Sequence, residues 1–278
     1  MVAAAVTVYR QQFVGAFEQR TTPLKAMTTK ETMKSGNTVS WLISGSGSDT
    51  AVTRGVNGLI PYGTSTNTQV TGTMVEKHAP YEMTGFNIFA SQGDQKQIMQ
   101  MNSMAVINRT IEDEIIDAIS GGTNDTGTAA TASLAMVMKA RSILRRNNVE
   151  LSNMNDVFGL MSPAFEAYIS QTPEFNSKDY VSVARLDGSS ISMLRWAGVN
   201  WYVTNRVSGV GGAAEKCAIW HRSAVGFACN VGEESINLGY DEKQDISWSR
   251  ASIYQDAAKL QNAGIVIMIH DGSAYESA

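Results

Sequence analysis

The longest periodic signal in the chain constrains the fold most. Between Gln92 and Ile119, Ile98, Met101, Met104, Ala105, Ile111, Ile115 and Ile119 recur at steps of three and four, the spacing that gathers apolar groups on one face of an α-helix. Asp94 suits the start of that helix and Gly121–Gly122 its end. A helix of this span is a rod about 40 Å long, more than a compact domain needs, so the remaining chain has to be laid along it. Its last turns carry Glu112, Asp113, Glu114 and Asp117. The helix dipole disfavours acid there by a few tenths to about 1 kcal/mol each. Such a cluster is either a solvated face or a surface that docks Arg or Lys from another segment or subunit.

The stretch before the helix is of the opposite kind. Two strands, Thr38–Ser44 and Gln69–Glu76, are separated by more than about twenty residues rich in Gly, Ser, Thr and Asn, whereas a hairpin is normally closed by about 2–5. Near the middle of that connection stand Arg54 and the apolar Leu59, Ile60 and Tyr62, which a purely solvated loop does not need. A projecting hairpin with apolar groups near its tip implies something that receives them. Further upstream, Tyr9, Phe13 and Phe17 recur every fourth residue, an aromatic stripe on a short helix over Val6–Glu18 that Pro23 ends. The stripe docks either onto its own domain or onto a neighbour, and the polar stretch Thr28–Asn37 follows it.

Beyond the long helix, a second helix is expected over Ser133–Asn147, then a buried strand in Asp156–Pro163 and a short helix over Ala164–Ser170. Strands are expected at Ser190–Leu194, Trp201–Val207, Ala218–Val225, Ser235–Leu238 and Ile265–Ile269, with Ala251–Ala258 readable as strand or helix. The order is hairpin, long helix, mixed elements, returning strand. That is α+β, not a repeating βαβ.

Charged residues make up only 17 % of the 278 residues and the net charge is −4. A surface poor in charge and rich in neutral polar groups suits repeated self-contact, although an ordinary secreted or periplasmic protein could share it. The negative balance opposes sequence-independent nucleic-acid binding, which needs a basic face; the densest basic window, Arg141–Arg146, holds three such residues. No stretch approaches the ~18 apolar residues of a membrane span, and the first residues do not read as a signal peptide. Cys217, His221 and Cys229 offer three potential zinc ligands at an unfamiliar spacing, one short of a structural site, so core cysteines in a reducing compartment are expected. Phosphate-binding loops, a nucleophile elbow and zinc-protease motifs are absent from the sequence. His78, His221 and His270 have no evident nucleophile beside them. No catalytic, cofactor or metal site is therefore expected.

The stretch TVSWLISGSGSDTAVTRGVNGLIPYG, followed by GDQKQIMQMNSMAVINRTIEDEIIDAIS, resembles the major capsid proteins of tailed bacteriophages with the Hong Kong-97-type fold, in particular those of the short-tailed, podovirus-like branch. The resemblance covers nearly the whole chain in element order. It implies an N-terminal arm (1–37), an extended E-loop hairpin (38–79), a peripheral domain with the spine helix (80–125), an axial domain (126–240) and returning peripheral strands (241–278). It implies a subunit that self-assembles into pentamers and hexamers of an icosahedral virion shell, with no enzyme activity. Implied partners are a separate scaffolding protein, a portal at one vertex, optionally a decoration protein, and enclosed double-stranded DNA bound without sequence specificity. Assembly would take place in the host cytoplasm. The inter-subunit contacts implied are Arg10, Phe13, Phe17 and Arg20 of the arm, Arg54, Leu59, Ile60 and Tyr62 of the loop, and Glu112, Asp113, Glu114 and Asp117 of the helix. Some relatives crosslink neighbours through an E-loop lysine; Ser44–Glu76 contains none and Lys77 lies at the base, so no crosslink is expected. Two other readings stay open: an encapsulin-type compartment shell, and a monomeric hydrolase with a dispersed triad. A tail or decoration protein fits less well, since those are commonly β-dominated and lack a long helix.

Overall fold

The computed structural model describes residues 21–47, 49–90, 94–173 and 194–276. Its organising element, after the short helix α1 (Gly85–Ala90), is helix α2, Gln95–Ser120, 26 residues and about 39 Å long. The carboxylate of Asp94 caps it, accepting from the backbone N–H groups of Lys96 (3.1 Å) and Gln97 (3.2 Å). Ala105, Ile111, Ile115 and Ile119 are buried as the periodicity predicts, but Met101 is exposed, while Met99, Ser103 and Ile107 face inward. The reason lies beneath the helix. Ser103 sits against Ser249 of the sheet with their hydroxyls 3.4 Å apart, a close approach that small side chains permit and Met101 would block.

That sheet is built around β11, Ile246–Lys259. Strand β4, Val75–Thr84, pairs antiparallel along one edge of it. On the other edge β10, Ser235–Asp241, and β9, Val225–Asn230, pair with it in succession. Strand β1, Thr29–Met33, adds in parallel to β9. Pro80 is tolerated inside β4 because, among the described residues, the strand pairs on one side only. The second sheet runs β12, β8, β5, β7, β6, that is Ile265–His270, Glu215–His221, Val157–Met161, Val199–Val203 and Leu194–Trp196. Helix α3, Leu134–Arg146, packs on β12, and α4, Pro163–Ser170, follows β5. A single apolar core runs from α2 through both sheets and includes Ile111, Ile115, Leu160, Trp220 and Ile267.

The structure completes or departs from the expectations at three places. Residues 251–258 are strand throughout. Strand β1 stands where a polar stretch was expected, and β4 and β9 each begin where an expected strand ends. The division at 240/241 is crossed by the hydrogen bonds: β9 and β10 belong to the sheet with β4 and β11, whereas β12 pairs with β8 in the other sheet. Each sheet therefore takes strands from both sides of the expected boundary, because β12 returns to fill the edge of β8.

The hairpin stands apart from this body. Strand β2, Thr38–Gly45, pairs with β3, Thr66–Thr73, from Thr38↔Thr73 to Gly45↔Thr66, as a separate two-stranded ribbon. Its attachment is a small apolar cluster in which Val39 and Trp41 meet Ala228 of β9.

Candidate functional site

The connection between β2 and β3 folds into a turn of its own. The N–H of Gly55 donates to the Leu59 carbonyl (2.8 Å), that of Gly58 to the Gly55 carbonyl (2.9 Å), and Gly58 takes a positive φ of 75°, which glycine adopts without a Cβ penalty. The guanidinium of Arg54 donates to the Gly58 carbonyl at 2.8 Å, closing the tip. Below it, the Asp49 carboxylate accepts from the Thr64 backbone at 3.0 Å and ties the two legs together. The loop thus holds a shape while presenting Leu59, Ile60 and Tyr62 at 73 %, 50 % and 98 % exposure. Arg54 has a structural task at the tip that its sequence context did not reveal.

At the base, the indole of Trp41 is the pivot. It is buried against Gly226 of β9 and near Gly72 of β3; a side chain at Gly72 would collide with the Asp256 carboxylate and one at Gly226 with the indole. Burial raises the Asp256 carboxyl above the usual range, and its Oδ2 has no hydrogen-bond partner among the described residues.

The acidic turns of α2 are largely engaged within the chain. Glu112 is fully buried and accepts from the Tyr202 hydroxyl at 3.1 and 3.4 Å; burial, then the neighbouring carboxylate, pushes that phenol up. Asp113 binds the guanidinium of Arg206 through both oxygens, with Nε at 2.7 Å, and the hydrogen bond holds Arg206 above its usual range. Glu114 lies 4.0 Å from Lys77 at the start of β4. Burial raises its carboxyl despite that lysine. Asp117 remains exposed. Tyr202 and Arg206 stand some ninety residues away and carried no sequence signal linking them to the helix. Arg10, Phe13, Phe17 and Arg20 lie outside the described residues.

Ser162, Glu215 and His270 come together, but not as a triad. All three are fully buried, and Ser162 donates its hydroxyl to Glu215, not to the imidazole. Glu215 also accepts from the Gly211 backbone at 2.9 Å, and Nε2 of His270 stands 3.9 Å from it. The other imidazole nitrogen lies 3.3 Å from the Ala130 carbonyl, and burial holds the ring's pKa down. A nucleophile needs its base within hydrogen-bond reach; this cluster instead satisfies a buried carboxylate. Burial pushes the nearby Cys217 thiol up to about 12, which disfavours the reactive thiolate. Among the described residues no group of three or more His, Cys, Asp or Glu is arranged to hold a metal ion, and no helix is long and apolar enough to cross a membrane.

The separate hairpin, the long helix laid on one sheet and the second mixed sheet make a distinctive whole, and comparison with known proteins decides what it is. A family model described as phage capsid protein matches residues 2–271. The chain belongs to the phage capsid protein family. No curated protein matches the capsid protein's sequence, but solved structures do match its fold. A chain from Mycobacterium phage Che8 superposes with a TM-score of 0.77 at 14 % identity, over 96 % of this chain and 98 % of that one. A capsid chain of cyanophage P-SCSP1u gives 0.74 at 11 %, over 96 % and 93 %. One from the capsid of a native GTA particle gives 0.71 at 11 %, over 96 % of each. The fold is the Hong Kong-97-type capsid fold. The capsid protein is a structural subunit of an icosahedral phage shell, it associates with copies of itself, and its place is the virion.

Proposed function

We propose that the chain builds the shell as pentamers and hexamers, and that the loop tip supplies the principal lateral contact. The observation that carries this is the exposure of Leu59, Ile60 and Tyr62 on an ordered ribbon attached to its own body at one small cluster. Burying those side chains on a neighbour stabilises at roughly 25 cal/mol per Å² of apolar surface. An exposed ion pair such as Asp117 with a neighbour's Arg or Lys contributes about 0–1 kcal/mol. Contacts that are weak one at a time let misplaced subunits leave before a closed shell locks.

The same reading divides the chain into an arm (1–37), loop (38–79), peripheral body with the spine helix (80–125), axial part (126–240) and returning segment (241–278), with β12 contributed back to the axial sheet. It gives the subunit no catalysis. It supplies a separate scaffolding protein, a portal at one vertex, an optional decoration protein, and double-stranded DNA enclosed without sequence-specific contacts, with assembly in the host cytoplasm and no covalent crosslink.

The test is electron microscopy of the protein expressed alone and then with its neighbouring genes. Closed shells, tubes or capsomer sheets are expected, and subunits should run as monomers after boiling in denaturant. A uniform monomer under both conditions would overturn the reading.

A further inference from the structure

Strand β10 has an unusual surface for a sheet edge. Among the described residues its only partner is β11. From Ser235 to Tyr240 it has no charge and no proline, the devices that normally keep an edge from pairing or sticking. Ile236, Leu238 and Tyr240 are 41 %, 53 % and 55 % exposed. They pair with Ala251, Ser249 and Ser247 of β11, so all three point to the face that α2 covers, where Ser249 meets Ser103. The helix does not extend over β10, which leaves an apolar shelf beside it.

The start of the described chain lies at the near end of this shelf. The ammonium of Lys25 binds Glu233 (3.2 Å) and Glu234, the residues immediately before β10, and Leu24 and Met27 are buried in the core beside them. Twenty residues precede Thr21 and include Tyr9, Phe13 and Phe17. On a helix, Tyr9 to Phe17 spans about 12 Å. Along a strand, Ile236 to Tyr240 spans about 14 Å.

We infer that the N-terminal segment of the same chain covers this shelf, with Phe17 toward Ile236, Phe13 on Leu238 and Tyr9 toward Tyr240. The match rests on three apolar groups of equal span on each side, on the anchored tether between them, and on the absence of charge from Ser235 to Tyr240, although the Tyr240 hydroxyl is held by Asp245 at 2.6 Å. It concerns packing within one subunit and does not depend on which contacts close the shell.

A disulfide trap on the full-length protein tests it, with Phe13→Cys combined with Leu238→Cys and, as a second register, Phe17→Cys with Ile236→Cys. Soluble subunits and assembled particles are both assayed under mild oxidation. An intrachain link, seen as a faster monomer band without reductant and missing from each single variant, is the expected result. A ladder of interchain species would assign the shelf to another copy and overturn the proposal, as would no link in either register. Trypsin gives a second readout through cleavage after Arg10. Leu238→Ser alters an exposed residue, so the fold is retained, and cleavage should accelerate at least tenfold over the unmodified chain. An unchanged rate would also overturn the proposal. Whether shells form is scored separately by microscopy, so failure here is distinct from failure of the assembly reading.

Discussion

The body and the hairpin are held together by different physics. In the body, Ile111 and Ile115 are wholly excluded from solvent and belong to a core continuous across two sheets. In the hairpin, the ribbon is hydrogen-bonded to itself from Thr38↔Thr73 to Gly45↔Thr66, its tip is closed by Arg54, and a small cluster around Val39 and Trp41 ties it to β9. The body is stabilised by what it buries alone. The hairpin keeps its shape locally and leaves its apolar groups for another surface. Stability and assembly should therefore be separable by mutation.

The largest effect is expected from Ile111→Ala. A fully buried isoleucine lost from such a core costs about 2–5 kcal/mol, so denaturant melts should show a lower midpoint and soluble yield should fall. The combined change of Leu59, Ile60 and Tyr62 to Ser should leave the unfolding free energy within about 0.5 kcal/mol of the parent while removing shells from micrographs. If both variants lost stability alike, the separation would be wrong. Trp41→Ala comes next. Loss of an indole from an apolar site costs about 3–5 kcal/mol where the whole fold depends on it; here most of the loss should appear locally, as faster hydrogen exchange in Thr38–Thr73 with a smaller shift of the global melt. Uniform exchange across the body would mean that the hairpin is part of the core.

The smallest effect concerns Asp256 beside the pivot. Its carboxyl is raised by burial, so the folded state disfavours the anion. Below the ordinary aspartate value of about 3.9 both folded and unfolded forms are protonated and no penalty exists. As pH rises through that value toward the raised folded one, the penalty grows and then stays. Asp256→Asn should therefore melt higher than the parent at pH 7, with the gain gone by about pH 4. A gain independent of pH would remove the carboxylate as its cause.

How far the fold was legible depended on how local each signal was. The isoleucines of α2 declared their helix because their spacing repeats within one element. Strand β11 was ambiguous because a central strand shared among three partners carries Gln255 and Asp256 among its apolar residues. Strand β1, TKETM, is too polar to announce itself and exists because β9 offers it an edge. At the candidate contact residues, the chain showed which groups are unusual but not what meets them. The acidity of Glu112 and Asp113 was visible, whereas Tyr202 and Arg206 join them only through tertiary folding. The apolar loop tip was legible as unsatisfied, and the structure leaves it so.

The single indole at the hairpin base has a geometric consequence. A closed shell made of one chain has flat regions and sharply bent ones, and each copy meets its neighbours at a different angle in the two. A ribbon that is hydrogen-bonded along its length and held at its base by one small apolar cluster is a lever. A few degrees of rotation about Trp41 carry the tip through several ångströms without breaking a rung between β2 and β3.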